Sequence, residues 1–118
     1  MANYSRILLS GSTSGKPIPV VAVATAGTLI HTAIAGAAGF DELYLWVSNV
    51  TGIAATLTIE WGGVADPGDH IVKALNIAAN SAPIPVVMGE VLNGGLICRA
   101  FSGTASALNL SGYANRIA

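Results

Sequence analysis

Turn-forming residues interrupt this chain so often that only short extended segments fit between them. Clusters of Gly, Pro, Ser and Asn separate apolar runs of five to eight residues. The interruptions recur at roughly 8–12-residue intervals, a spacing typical of antiparallel sandwiches and barrels. The predicted strands are 4–10, 18–24, 28–34, 43–49, 55–61, 70–77, 84–88, 95–101 and 107–113. The sequence thus predicts an all-β fold, a single-domain β-sandwich over 1–118 with about eight or nine short antiparallel strands, for which we consider a jelly roll.

Side-chain alternation within one of these runs predicts which residues share a face of the sheet. In 55–61, Leu57, Ile59 and Trp61 share one face, and Thr56, Thr58 and Glu60 share the other. Glu60 is then expected in solvent, or paired with Arg99 or Lys73. Only 73–80 has a composition that also suits a short helix, and we favour a strand there.

The string PIPVV occurs at 17–21 and again at 83–87. Each copy precedes a strand, a turn and a second strand that ends at an aromatic residue, Trp61 or Tyr113. Proline is tolerated at strand starts and on edge strands, where no ladder donor is missed. We interpret the repeat as architecture used twice, two strand–hairpin units packed face to face, rather than as a binding site.

The composition is unusual for a freely diffusing small domain. Charged residues make up 9% of the chain and hydrophobic residues 53%, whereas about a quarter of an average domain is charged. We infer that other subunits cover much of the surface. The net charge of -1 provides no basic field for nucleic acid or anionic lipid. No apolar run is long enough for a membrane helix and no signal segment opens the chain, so we expect a protein that is soluble and intracellular when made.

Residues that suggest chemistry are few and do not form a known motif. Cys98, His31 and His70 lack zinc-ligand spacing, and Cys98 is expected to be buried. The stretch 11–17 (GSTSGKP) has three residues between its glycines and Pro17 after Lys16, so it fits a hairpin loop better than a phosphate-binding loop.

The acidic residues do not suggest a site either. Asp66 and Asp69 supply too few oxygens for calcium, and a turn explains them better. The acids as a whole are scattered, and one His–carboxylate contact is expected to be structural because no nucleophile accompanies it. We expect no enzymatic activity, no cofactor and no metal.

Exposed apolar surface is the remaining functional signal. If Leu43, Leu45 and Val47 enter the core, Tyr44 and Trp46 stand on the opposite face of the same strand; if the register is reversed, the three aliphatic residues lie outside instead. In both registers the strand is apolar on both sides. Either a loop covers its outer side or that side forms a subunit interface, where Trp and Tyr are enriched. The low charge favours the interface. A sugar-binding sandwich that uses Trp46, Trp61 or Tyr44 for stacking is a further alternative.

Several stretches together resemble small virion structural proteins of tailed bacteriophages, above all capsid decoration (cement) proteins. They are SRILLSGSTSGKPIPV, GTLIHTA, DELYLWVSN, LTIEWGG, NSAPIPVV, LNGGL and GYANRI. The resemblance implies a non-enzymatic homo-oligomer, a trimer, that binds the major capsid protein on the outside of a phage shell after assembly in the bacterial cytoplasm. A tail, neck or fibre-base position in the same kind of virion stays open.

For this role we predict an interface that contains Tyr44, Trp46, Arg6 and Arg116. The chain ends, 1–10 and 112–118, are candidates for exchanging strands with neighbouring subunits. Neither nucleic acid nor membrane is expected as a partner.

Overall fold

The structure is a computed structural model and describes residues 3–118. Over these residues it contains nine β-strands and no helix, which confirms the predicted all-β sandwich. The strands are β1 (Tyr4–Leu8), β2 (Ile18–Pro19), β3 (Thr28–Thr32), β4 (Phe40–Asn49), β5 (Ala55–Trp61), β6 (His70–Ile77), β7 (Ile84–Leu92), β8 (Ile97–Ser102) and β9 (Leu108–Ile117). Between residues 3 and 118, accordingly, nothing resembles a membrane-spanning helix.

The strands form two antiparallel sheets that pack face to face. One sheet has the order β1-β9-β4-β7, with β2 also paired to β9, and the other has the order β3-β8-β5-β6. The chain passes from one sheet to the other at most of its turns. This strand order is that of a jelly roll, an arrangement of two interlocked Greek keys.

Alternation along the strands builds the core between the sheets. Leu43, Leu45 and Val47 of β4 are fully buried, which is the first of the two registers considered, and so are Leu57 and Ile59 of β5. Cys98 is also fully buried, which confirms its expected place, and burial raises the pKa of its thiol. The Cys98 thiol is therefore an inert core group rather than a reactive one.

The PIPVV repeat occupies the two margins of one sheet. Ile18 pairs with Leu110, Leu110 with Val47, and Val47 with Ile84, so the two copies lie in one row across the sheet. Since each pairing is antiparallel, the copies run in opposite directions. Pro19 and Pro85 therefore both lie in margin strands, which is where proline is tolerated. This placement supports an architectural role for the repeat.

The units that follow the repeat are not hairpins, contrary to the prediction. Strands β4 and β5 belong to different sheets, and so do β8 and β9. Each pair is an arch that crosses the core. The two arches lie side by side, because β4 pairs with β9 and β5 pairs with β8. A hairpin and an arch share the same strand–turn–strand pattern, so the sequence did not distinguish them.

The loop at 11–17 is likewise not a hairpin loop. Strands β1 and β2 do not pair with each other; both pair with β9 and follow one another along its margin. The chain leaves the edge of the sheet after β1, forms the loop, and rejoins the same edge as β2. Strand β2 follows the loop, where a phosphate-binding loop would be followed by a helix, and Thr13 is exposed.

Most of the predicted strands differ from the observed ones by a few residues in extent, and two differ for a reason that the structure shows. Strand β2 ends at Pro19 rather than at residue 24, because the amides of Val21 and Ala22 donate to the Thr28 hydroxyl instead of to a ladder. A bulge between Leu29 and His31 interrupts the regular alternation of side chains along β3. Segment 73–77, also considered for a helix, belongs to strand β6.

Candidate interaction surface

The outward side of the β1-β9-β4-β7 sheet carries a cluster of aromatic and aliphatic side chains, which we call the aromatic face. Register and alternation place one residue of each strand in every row. One row contains Leu8, Tyr113, Tyr44 and Met88, and the next contains Trp46 and Pro85. The other outward apolar residues are Tyr4, Phe40, Val91 and Ile117.

Three aromatic rings and one cation meet at the centre of this face. The ring centroids of Tyr44 and Tyr113 are 5.1 Å apart and nearly perpendicular, and those of Trp46 and Tyr113 are 6.1 Å apart. The Arg6 guanidinium carbon lies 4.2 Å from the centroid of Tyr113. Edge-to-face and cation–π geometries such as these hold the side chains in fixed positions. Three of the four predicted interface residues, Tyr44, Trp46 and Arg6, therefore come together around Tyr113.

Glycines on both neighbouring strands make room for Tyr44. A Cβ at Gly112 would lie 1.9 Å from the Tyr44 carbonyl oxygen, and a Cβ at Gly89 would lie 3.3 Å from its hydroxyl. Gly89 also has a φ of +88°, which side-chain-bearing residues rarely adopt. Burial and the nearby Glu42 carboxylate raise the pKa of Tyr44, so its hydroxyl stays neutral over the physiological range.

A polar row crosses the aromatic face next to the tyrosines. Arg6 of β1 pairs in register with Asn115 of β9, and Asn115 pairs with Glu42 of β4. Within residues 3–118, neither Arg6 nor Glu42 takes part in an ion pair. The side-chain oxygen of Asn115 is buried and accepts no hydrogen bond from the described residues. This row is thus polar and only partly satisfied by the chain itself.

Arg116, the fourth predicted interface residue, lies on the other side of the sheet. It points between the sheets at one end of the sandwich, where its Nε and one terminal nitrogen donate to the Asp41 carboxylate at 2.8 and 2.9 Å. Asp41 is 0% exposed and also accepts from His31 Nε2 at 2.8 Å and from the Ile34 amide. Burial raises the pKa of Asp41, but the donors from Arg116 and His31 outweigh it and lower the pKa below its usual value.

The Asp41 cluster ties the two sheets together rather than forming a catalytic triad. His31 lies on β3 and Asp41 on β4, so their contact spans the core. Ser10 is adjacent, but its backbone amide, not its hydroxyl, donates to His31 Nδ1 at 3.0 Å. The Ser10 hydroxyl instead accepts from the Thr32 amide. A nucleophilic serine needs its hydroxyl against the histidine, so this geometry supports a structural role.

A second buried carboxylate was not predicted. Glu60 is 0% exposed on the outer side of the other sheet, and its partners are not Arg99 or Lys73. Loop 22–27 covers it and supplies the Thr25 hydroxyl and the Gly27 amide, the latter at 2.7 Å. The expectation of a solvated side chain was wrong because the cover comes from a loop distant in sequence.

His70 lies beside Glu60 without a close polar partner. Its Nε2 is 3.8 Å from Glu60 and its Nδ1 is 3.5 Å from Asp66, while Phe101 packs at its edge. Neither ring nitrogen forms a hydrogen bond with the described residues. Lys73 binds the exposed carboxylate of Asp66. Residues 3–118 hold no group of three His, Cys, Asp or Glu side chains positioned to bind a metal.

The segment around Asp66 and Asp69 forms the predicted turn. The two carboxylates face different partners, since Asp69 accepts from the Ala65 amide at 3.0 Å and Asp66 binds Lys73. Both groups are thereby used in holding the turn and its neighbouring strand.

Four loops form an uncharged tip at one end of the sandwich, which we call the loop end. Segments 20–27, 50–54, 78–83 and 103–107 contain no Asp, Glu, Lys or Arg. Backbone hydrogen bonds connect them, including Asn80 to Thr51, Val50 to Ala107 and Ser106 to Val20. Their exposed apolar residues are Val21, Val23, Val50 and Ile53, the last 76% exposed. The loop end is therefore a second apolar surface, held in place by its own backbone.

The chain ends pair with each other at the end of the sandwich opposite the loop end. Asn3 and Ala118 exchange two backbone hydrogen bonds, and β1 pairs with the last residues of β9. Within one copy, segments 3–8 and 113–118 thus complete their own sheet.

Comparison of the chain with protein-family models, with curated proteins and with solved structures finds no match. Its function is therefore inferred from its own residues and geometry.

Proposed function

We propose that this protein is a non-enzymatic structural component of a tailed-phage virion, which binds the outside of the capsid as an oligomer and stabilises the shell. The aromatic face is the observation that carries the proposal. Large apolar side chains cross all four strands of one sheet, in a chain with only five basic and six acidic residues. Monomeric domains rarely expose a continuous patch of this kind, and such patches mark association surfaces.

The loop end is the surface that we assign to the coat subunits. It has no charge that would have to be desolvated on binding, and Ile53 and Val50 project from it. The loops are already linked by hydrogen bonds, so little loop ordering opposes docking. A specific contact of this kind buries about 1,600 Å² in total.

Stabilisation follows from the number of copies. Each bound copy adds buried apolar area that must be separated before neighbouring coat subunits can move apart. No reaction is needed for this function, which agrees with the structural use of the Asp41 and Glu60 carboxylates.

Co-sedimentation with capsids assembled without this protein tests the proposal. The purified chain is expected to sediment with the shells and to raise their disruption temperature. Ile53→Asp at the loop end should abolish binding, whereas Val64→Asp, at an exposed residue in the turn at the opposite end, should bind like the wild type. Free protein in the supernatant at every concentration would contradict the proposal.

The aromatic face gives a second test. Trp46→Ala should weaken assembly more than it destabilises the isolated chain, because the Trp46 ring packs on the outside of the sheet against Tyr113. Light scattering measures assembly, and thermal unfolding of the same sample measures stability. Equal assembly of the variant and the wild type would argue against a role for this face.

Two other functions are less well supported. A tail, neck or fibre-base component would use the same apolar surfaces, and labelled protein seen at the tail instead of the head would favour it. A sugar platform needs flat, accessible rings, but Tyr44 and Tyr113 are perpendicular and Arg6 stacks on Tyr113. Binding to a glycan array would revive that alternative.

A further inference from the structure

We infer that the aromatic face binds the aromatic face of a second copy of this chain, through a twofold contact whose axis runs along β9. The proposed function requires the aromatic face to be covered in the oligomer, and the inference rests on that proposal only for this requirement. It adds the identity of the partner. It follows from the order of residues in the polar row and in the rows beside it.

The polar row is self-complementary. It has a cation on β1, a neutral amide on β9 and an anion on β4: Arg6, Asn115 and Glu42. Rotation by 180° about β9 exchanges the positions of β1 and β4 and turns the face over. Arg6 of each copy then lies opposite Glu42 of the other, so two new ion pairs form at once.

The same rotation matches apolar residues with apolar residues. Leu8 lies in the row of Tyr44, and Tyr4 lies in the row of Phe40, on opposite sides of β9. In the twofold pair, Leu8 faces Tyr44 of the second copy and Tyr4 faces its Phe40. Tyr113 lies on the axis and faces its own counterpart. An axis along another strand of this sheet would not bring Arg6 and Glu42 together.

The polar row also lacks partners within one copy. Arg6 and Glu42 form no ion pair in the described part of the chain, and the Asn115 side-chain oxygen has no donor there. Charges in the middle of an apolar contact are costly unless they are paired. A partner without matching charges would leave both unpaired, whereas a second copy satisfies both.

The overlap between the two faces is small. With the axis along β9, strands β1, β9 and β4 of the two copies face each other, whereas β7 of each copy extends beyond β1 of the other. Three strands at about 4.8 Å spacing and about 30 Å of strand length give roughly 430 Å² per copy, or roughly 860 Å² in total, which is in the range of weak, transient contacts. A weak dimer in equilibrium with the monomer is therefore expected in solution, and the high local concentration of copies on a particle favours the dimer.

Charge exchange across the face tests the inference on purified protein, without capsids. Sedimentation equilibrium should show a monomer–dimer system for the wild type. Arg6→Glu and Glu42→Arg should each weaken dimerisation by roughly tenfold or more, because each places two like-charged pairs face to face. An equimolar mixture of the two variants should form dimers again, since every contact then joins opposite charges.

Recovery on mixing is the decisive readout, because a role of Arg6 within its own chain would not produce it. Glu90→Arg makes the same change of charge on an exposed residue of β7 that is not among the outward rows, and should dimerise like the wild type. A wild type that stays monomeric or forms trimers, single variants that dimerise normally, or a mixture that stays monomeric would each overturn the inference. Capsid binding is tested with variants of the loop end, and dimerisation is tested with variants of the aromatic face. Each proposal can therefore fail while the other holds.

Discussion

Replacing Asp41 by asparagine should strongly destabilise the fold. Asp41 is fully buried and accepts from His31, Arg116 and the Ile34 amide. The variant keeps the shape of the side chain but loses its charge and one acceptor oxygen. At least one buried donor then points at the new amide group instead of at an oxygen.

The magnitude follows from the exposure of each partner. The buried bond from His31 to a charged acceptor contributes about 1.5–3 kcal/mol, and an orphaned donor costs about 1–3 kcal/mol. The Arg116 side chain is 34% exposed, so solvent screens its pairing and we count it as about 1 kcal/mol or less. A loss of about 3–5 kcal/mol is expected, close to that of other broken buried ion pairs.

Urea unfolding at neutral pH measures this loss. The transition midpoint of Asp41→Asn should fall without a change in the slope, and its melting temperature should fall by about 10 °C or more. Asp66→Asn is the matched control, because it makes the same chemical change at an exposed carboxylate. If the two variants lose similar stability, the Asp41 cluster does not hold the two sheets together.

Three further predictions concern acid, backbone packing and a covering loop. The pKa of Asp41 is lowered in the folded state. The stability that its charged carboxylate adds to the fold is therefore complete above the unfolded pKa of about 3.9, and it is lost as the pH falls through the lowered pKa of the folded state. The stability difference between wild type and Asp41→Asn should therefore shrink below about pH 4, and a difference that does not change with pH would contradict this assignment. Gly112→Ala should prevent normal folding or cost more than about 3 kcal/mol, since its Cβ would meet the Tyr44 carbonyl oxygen, while Gly52→Ala, with open space around it, should have little effect on the unfolding midpoint. Glu60→Ala should accelerate hydrogen exchange of the Gly27 amide, which would lose its acceptor; unchanged protection would show that loop 22–27 is held by other contacts.

The sequence predicted the fold where local pattern decides it. Strands β5 and β6 have the predicted limits, and side chains along β4 alternate as the sequence indicates, although alternation alone did not show which side of β4 faces the core. These segments combine period-two hydrophobicity with clear turn signals, so neighbouring residues carry enough information. The number of strands and the sandwich class follow from the same two signals.

Pairing between strands and cover from distant loops were not visible in the sequence. Nothing local distinguishes an arch such as β4–β5 from a hairpin, since the sheet that each strand joins depends on partners far along the chain. Glu60 alternates like an exposed residue, and only loop 22–27 buries it.

The predicted interface residues show the same division. Tyr44 and Trp46 were identified because their strand is apolar on both sides. Arg116 was grouped with them as a cation near a chain end. The two-residue period of β9 instead places Arg116 on the inward face of the sheet, away from Tyr113 and beside Asp41. The buried partner Asp41 was not predicted because a lone carboxylate at the start of a strand gives no signal of burial.

The prolines of the repeated PIPVV string restrict the ways in which copies can join. Pro19 and Pro85 lie on opposite margins of the same sheet, and a proline provides no N–H to an arriving strand. Sideways growth into continuous ribbons is therefore discouraged at both borders. At high concentration the copies therefore associate through the faces of their sheets rather than through strand edges. A twofold contact is complete once two copies have bound, so it does not lead to open-ended polymerisation of this low-charge protein.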